Sequence, residues 1–147
     1  MRFSAMKMNP PLRTADHVKA LWEGLKEGTV DCVATDHAPH TKKEKETDEP
    51  LKAPSGVPGV ETMIPLLLTA ASQGKISHAD IARWCFENPN KIFALGKKGI
   101  AEGAPADIVI VDPKKTWTIE AANLHSLCGW TPFEGWKVTG AVKRVIS

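Results

Sequence analysis

A helix followed at once by a buried strand is the feature that most restricts what this chain can fold into. Ala15, Val18, Leu21, Trp22 and Leu25 recur at helical spacing on one face. Thr14 stands where a capping residue belongs, and Gly28 where a helix stops. Residues 30–35, Val-Asp-Cys-Val-Ala-Thr, then read as a short, mostly buried strand. That order is half of a strand–helix–strand unit and predicts an α/β chain with a parallel sheet. In such sheets ligands gather at the carboxyl ends of the strands, and Asp36 is the residue that leaves this one.

Residues 36–59 then break the pattern. They hold Asp36-His37-Ala38-Pro39-His40, a Lys/Glu run from Lys42 to Glu46, and Pro50, Pro54, Gly56, Pro58 and Gly59. A polar loop this long is uncommon in a compact domain and is usually functional or disordered. A solvated linker is one alternative reading of the Lys/Glu run, beside a functional or disordered loop. Asp36 to His40 is different, because carboxylate and imidazole are both zinc ligands and both move protons. The pattern alone leaves a second reading open, since Asp and His side chains also close turns. It is also short of ligands, because catalytic zinc usually takes three. His17, His78 and His125 add no second half-site by their spacing and read as capping or surface residues.

Further along, residues 60–73 read as a helix with Pro65 in its first turn or at a kink. Ser77 to Asp80 resembles a capping box with Asp in place of Glu. The helix it opens would turn Ile81, Ala82, Trp84 and Cys85 inward. Asn88-Pro89 would start another short helix, with Ile92, Phe93 and Leu95 on its apolar side and Gly96 at its end. From Gly103 onward the chain becomes β-rich, with strands expected over 106–111, 116–119 and 137–146, the last interrupted by Gly140.

Composition excludes several classes. The 147 residues are 42% hydrophobic and 24% charged, which is ordinary for a globular protein. Net charge is +2, and the basic and acidic residues number 9 and 9 up to Gly59, then 10 and 8. Neither part is the basic patch that nucleic acid requires. No run reaches the roughly 18–20 apolar residues of a membrane span, and the first residues lack a secretory signal. Cys32, Cys85 and Cys128 form no C-x-x-C pair and read as small buried residues of a reducing compartment. A cytoplasmic protein is therefore expected.

Four separated blocks resemble class I dihydroorotase, a branch of the amidohydrolase superfamily. They are residues 8–13 (Met-Asn-Pro-Pro-Leu-Arg), 34–41 (Ala-Thr-Asp-His-Ala-Pro-His-Thr), 56–68 (from Gly-Val-Pro-Gly-Val-Glu) and 130–136 (Trp-Thr-Pro-Phe-Glu-Gly-Trp). Residues 103–109 are similar to the start of the superfamily's composite β domain. The resemblance implies the C-terminal part of a (β/α)8 TIM-type barrel over residues 1–95, with active-site loop 36–59, and a strip of a small β-sandwich domain over 96–147. A whole barrel takes about 250 residues, so this chain is expected to be a portion of one, with Met1 an internal methionine.

The resemblance also implies roles. Asp36 would ligate one of two zinc ions and shuttle a proton. His40 would bind the substrate carboxylate, Asn9 would hydrogen-bond the substrate, and the backbone at Pro58-Gly59 would close on the pyrimidine ring. The reaction would be the reversible zinc-dependent interconversion of carbamoyl aspartate and dihydroorotate in pyrimidine biosynthesis. The family's other metal ligands match no position here, so the isolated chain is expected to be inactive. Two alternatives are allantoinase or hydantoinase chemistry, and a non-catalytic dihydroorotase-like partner of aspartate transcarbamoylase. Exposed helix faces and open strand edges also predict self-association.

Overall fold

The computed structural model describes residues 3–147. They form an α/β chain in which the described regular sheet has two strands. Five helical segments come first: α1 (Ala15–Glu27), α2 (Lys42–Lys45), α3 (Met63–Ser72), α4 (His78–Ala82) and α5 (Asn88–Ile92). Strands β1 (Ile108–Thr118) and β2 (Lys137–Ile146) follow.

The chain divides into two compact units. One takes the chain up to Ala20, Thr35–Met63 and Thr118–Lys137; the other takes Leu21–Ala34, Ile64–Trp117 and Val138–Ser147.

The second unit has a conventional apolar core. Leu67, Leu68 and Ala70 of α3 are buried, with Ile76, Trp84, Val138 and Ala141. Each Leu or Val removed from water in this way contributes roughly 1.5–3 kcal/mol. A Cβ on Gly140 would lie 2.4 Å from Cβ of Leu68, and Gly140 sits at φ +103°. Only glycine suits that place, where the strand touches the helix. Thr69 Oγ1 donates to Pro65 C=O (2.7 Å) and accepts the Thr139 N–H (2.9 Å), tying α3 to β2. Lys143 approaches Asp112, and the Trp117 ring N–H reaches Gly140 C=O. The opposed order of these pairs makes the two strands antiparallel.

Several expectations need correction here. Residues 30–35 form no strand, because among the described residues their backbone links outside the segment are Val30 N–H to Gly24 C=O (3.0 Å) and Val33 N–H to Trp84 C=O (3.3 Å). A strand needs a neighbour's ladder, and no described strand supplies one. Helix α1 forms and ends at Gly28 (φ +82°), but Val18 and Leu21 on its apolar face are exposed; Leu25 alone of that face is buried. Asn88 is no cap: α4 runs through a π-helical turn (Arg83–Glu87) into α5, and Asn88 donates from its side chain to Asp31 C=O instead. Trp84 is buried as expected, whereas Ala82 is exposed. The two strands expected over 106–111 and 116–119 are one, β1. Pro113 does not break it, because each strand of a two-stranded sheet has a side that needs no N–H. The thiols of Cys32 and Cys85 are half-buried and that of Cys128 is buried.

Candidate active site

The first unit is built around the loop 36–59, which hydrogen bonds to backbone hold beside buried Ala5, Ala53, Ile119 and Trp130. Asp36 adopts φ +43°, a left-handed conformation that Asp tolerates better than most residues. This turn redirects the chain so that His37 forms a single parallel bridge with Val57, and Ala38 N–H donates to Val57 C=O (3.1 Å). His37 Nδ1 then accepts two backbone N–H groups, from Gly59 (3.0 Å) and Val60 (3.2 Å). Nδ1 is therefore the lone-pair nitrogen of the ring and Nε2 carries the proton.

One close approach fixes a glycine at the far side of the loop, and a second, looser one favours another. A Cβ on Gly56, at φ +116°, would lie 2.4 Å from Cβ of Ala38. A Cβ on Gly59 would lie 3.3 Å from Thr35 C=O. The Gly59 carbonyl accepts from Thr62 N–H, Met63 N–H and Thr62 Oγ1, all within 3.1–3.2 Å, and so leads the chain into α3.

A second contact set closes the unit. Buried Trp130 donates its ring N–H to His40 C=O at 2.8 Å. The Glu61 carboxylate accepts the backbone N–H groups of His125 and Ser126 and pairs with His125 Nδ1 at 2.8 Å. Burial pushes the Glu61 pKa up, but the His125 and Ser126 hydrogen bonds outweigh it and hold the carboxyl below its ordinary 4.5. His37, Pro58, Gly59, Glu61, Ser126 and Thr131 line a shallow recess at this place.

The site residues read from the sequence are thus partly assembled. Asp36 to His40 and Pro58-Gly59 are brought together by the His37 and Ala38 hydrogen bonds. Asn9 is exposed and joins them only through Lys7, whose carbonyl accepts the Gly56 N–H at 3.0 Å. Among the described residues, the side chains of Asp36, Asn9 and His40 make no hydrogen bond to another side chain. Among the described residues no three His, Cys, Asp or Glu side chains are grouped to hold a metal. One carboxylate at Asp36 does not make a zinc site, so this chain's own residues do not fit that ion.

Three residues escaped the sequence reading. His37 gains its role from two N–H groups more than twenty positions away. Glu61 and Lys45 look like ordinary surface charges in the sequence, yet Lys45 is fully buried. Only the Gly-Val-Pro-Gly-Val-Glu block, which places Glu61 beside Gly59, carried a hint of the second.

Residues 5–147 match the amidohydrolase family. The dihydroorotase of Halobacterium salinarum is 52% identical over 130 residues, which cover 88% of this chain and 31% of that protein. The multifunctional protein CAD of Squalus acanthias is 45% identical over 140 residues, 95% of this chain and 6% of that one. Among solved structures, L-hydantoinase from Arthrobacter aurescens superposes with a TM-score of 0.88 at 33% identity, over 98% of this chain and 33% of the hydantoinase. The chain spans about one third of the length of the dihydroorotase and the hydantoinase. Among the described residues, no helix is long and apolar enough to cross a membrane.

Proposed function

The chain belongs to the amidohydrolase family, and from that premise we propose that it is a portion of a dihydroorotase-type cyclic amide hydrolase. In this reading residues 1–95 belong to the end of the hydrolase barrel and residues 96–147 to the composite β domain. The observation that carries the proposal is the loop 36–59, where the His37–Gly59 and Ala38–Val57 hydrogen bonds bring the Asp36–His40 segment to the Pro58-Gly59 turn. The 52% identity to a dihydroorotase supports this choice over hydantoinase chemistry, where the likeness is 33%.

The roles follow from chemistry. His40 suits a carboxylate, which an imidazole can meet with an N–H donor. Asn9 offers both an acceptor and a donor to a ring amide. The glycine at 59 lets the backbone come close to a flat ring. The Asp36 carboxylate can take a proton and return it to a leaving nitrogen. Zinc would be held by Asp36 only together with ligands that these 147 residues do not provide. The likeness to a multifunctional protein supports a setting within a larger multifunctional protein, and the dihydroorotase resemblance makes aspartate transcarbamoylase the candidate neighbour.

The test is a chimera in which residues 5–147 replace the matching third of the H. salinarum dihydroorotase. It should interconvert carbamoyl aspartate and dihydroorotate, and Asp36→Asn should lower kcat by about 100-fold or more, the usual size of a lost general base. A folded chimera with no dihydroorotase turnover, or one that prefers allantoin or hydantoin, would overturn the proposal.

A further inference from the structure

Lys45 lies in the Lys/Glu run of the loop, and it is 0% exposed. Its neighbours Lys42, Lys43 and Glu44 are exposed. A buried ammonium is costly unless its donors are all met. Here each of the three is met by a backbone carbonyl: Lys7 at 3.0 Å, Pro54 at 2.7 Å and Gly56 at 2.8 Å. None of these partners is a carboxylate. Three converging carbonyls suit a tetrahedral ammonium and not the flat fork of an arginine.

The three carbonyls belong to two segments far apart in sequence, one at Lys7 and one at Pro54–Gly56. Lys7 stands two residues before Asn9, and Gly56 two residues before Pro58. The Lys7 carbonyl also accepts the Gly56 N–H, and Lys7 Nζ donates to the carbonyls of Leu51 (2.6 Å) and Ala53 (2.7 Å). Helix α2 places Lys45 itself, through a capping box in which Thr41 Oγ1 accepts the Glu44 N–H and Glu44 accepts from Thr41. One ammonium therefore ties the Asn9 segment, the Pro54–Gly56 turn and α2 together.

We propose that Lys45 is a positioning residue, an internal post that sets the spacing between the Asn9 segment and the Pro58-Gly59 turn. Its effect on substrate binding rests on the dihydroorotase reading above; its effect on the loop does not.

Hydrogen exchange on the 147-residue chain tests the loop directly. In Lys45→Met the amides of Ala38, Gly56, Gly59 and Val60 should exchange roughly tenfold faster or more, as expected when charge-assisted hydrogen bonds are lost locally. Amides of the other unit, Val33 and Gln73, should keep their rates. Unchanged loop amides, or equal acceleration in both units, would overturn the proposal. If Lys45→Met does not fold, amine labelling of the native chain decides. Lys42 and Lys43 should label at least about tenfold faster than Lys45, and equal labelling would overturn it. In the chimera, Lys45→Met should raise KM for dihydroorotate roughly tenfold while kcat stays within about twofold, the signature of lost binding. A loss confined to kcat would overturn the positioning role. A chimera inactive with Lys45 in place counts against the dihydroorotase reading, and the exchange result then judges the post by itself.

Discussion

Glu61 and His125 stand 64 positions apart, and the bonds between them join two loops of the same unit. The carboxylate collects two backbone N–H groups and a ring nitrogen, so it is better matched as an anion in the folded chain than in water. Its folded pKa lies below the ordinary 4.5. The sign follows from linkage: a depressed carboxyl contributes stability that is fully present above its unfolded value and disappears as pH falls through the folded one. Wild-type protein should thus lose stability below about pH 4.5. Glu44, Asp80 and Asp112 are depressed as well and will add to that loss. The informative quantity is therefore the difference from Glu61→Gln, measured by urea unfolding between neutral and acid pH. At neutral pH the variant should be about 1–3 kcal/mol less stable, the usual penalty for a broken charged hydrogen-bond set, and the gap should close on acidification. A gap that does not change with pH would mean that the carboxylate charge is not what holds the 124–131 loop. His37 and Lys45 show the same logic: each is decided by backbone groups that lie far away in sequence. For that reason neither role was legible, and a solvated reading of the Lys/Glu run holds only for exposed Lys42, Lys43 and Glu44.

Elements set by neighbours in sequence were legible, and elements set by partners in space were not. The capping box at α4 is of the first kind. Ser77 Oγ accepts the Asp80 N–H at 3.1 Å, and Asp80 accepts from Ser77 N–H and Oγ at 2.8 Å. Those Ser77 hydrogen bonds, backbone first, hold the Asp80 carboxyl below its ordinary range. Ser77→Ala should cost about 1 kcal/mol, the typical worth of an N-cap, while Ser77→Thr should cost far less; chemical denaturation checks both. Equal stability of all three proteins would show that tertiary packing around Trp84 fixes this helix without its cap. The stretch 30–35 is of the second kind. Val, Cys, Val and Ala give it the composition of a strand, but a ladder is made by two strands, and composition does not supply the second. Strand β1 errs in the opposite direction. Asp112-Pro113 looks like a stop, yet Asp112 Oδ1 accepts the N–H groups of Lys114 and Lys115 and carries the chain through.

At the scale of the molecule, apolar side chains outside the core govern behaviour in solution. Leu127 is 100% exposed, Leu51 89% and Ile100 88%, and Phe93, Val145 and Leu21 are each more than half exposed. Single exposed apolar residues are normal; this many large ones in a chain of 147 residues are not easily kept apart. A two-stranded sheet is also marginal by itself and leaves its outer edges open to pairing. Both features favour association over a lone monomer. Light scattering after size exclusion should therefore give a mass above the 16.0 kDa of one chain, rising with concentration. Replacing Leu127 and Ile100 together by Lys should shift the distribution toward the monomer, because charge at exposed apolar positions opposes contact. The chimera, which joins the same residues to the remainder of the H. salinarum dihydroorotase, should associate less than the 147-residue chain. A sharp monomer peak for the unmodified chain, with one cooperative unfolding transition, would instead mean that the two units are self-sufficient and that these apolar residues need no cover.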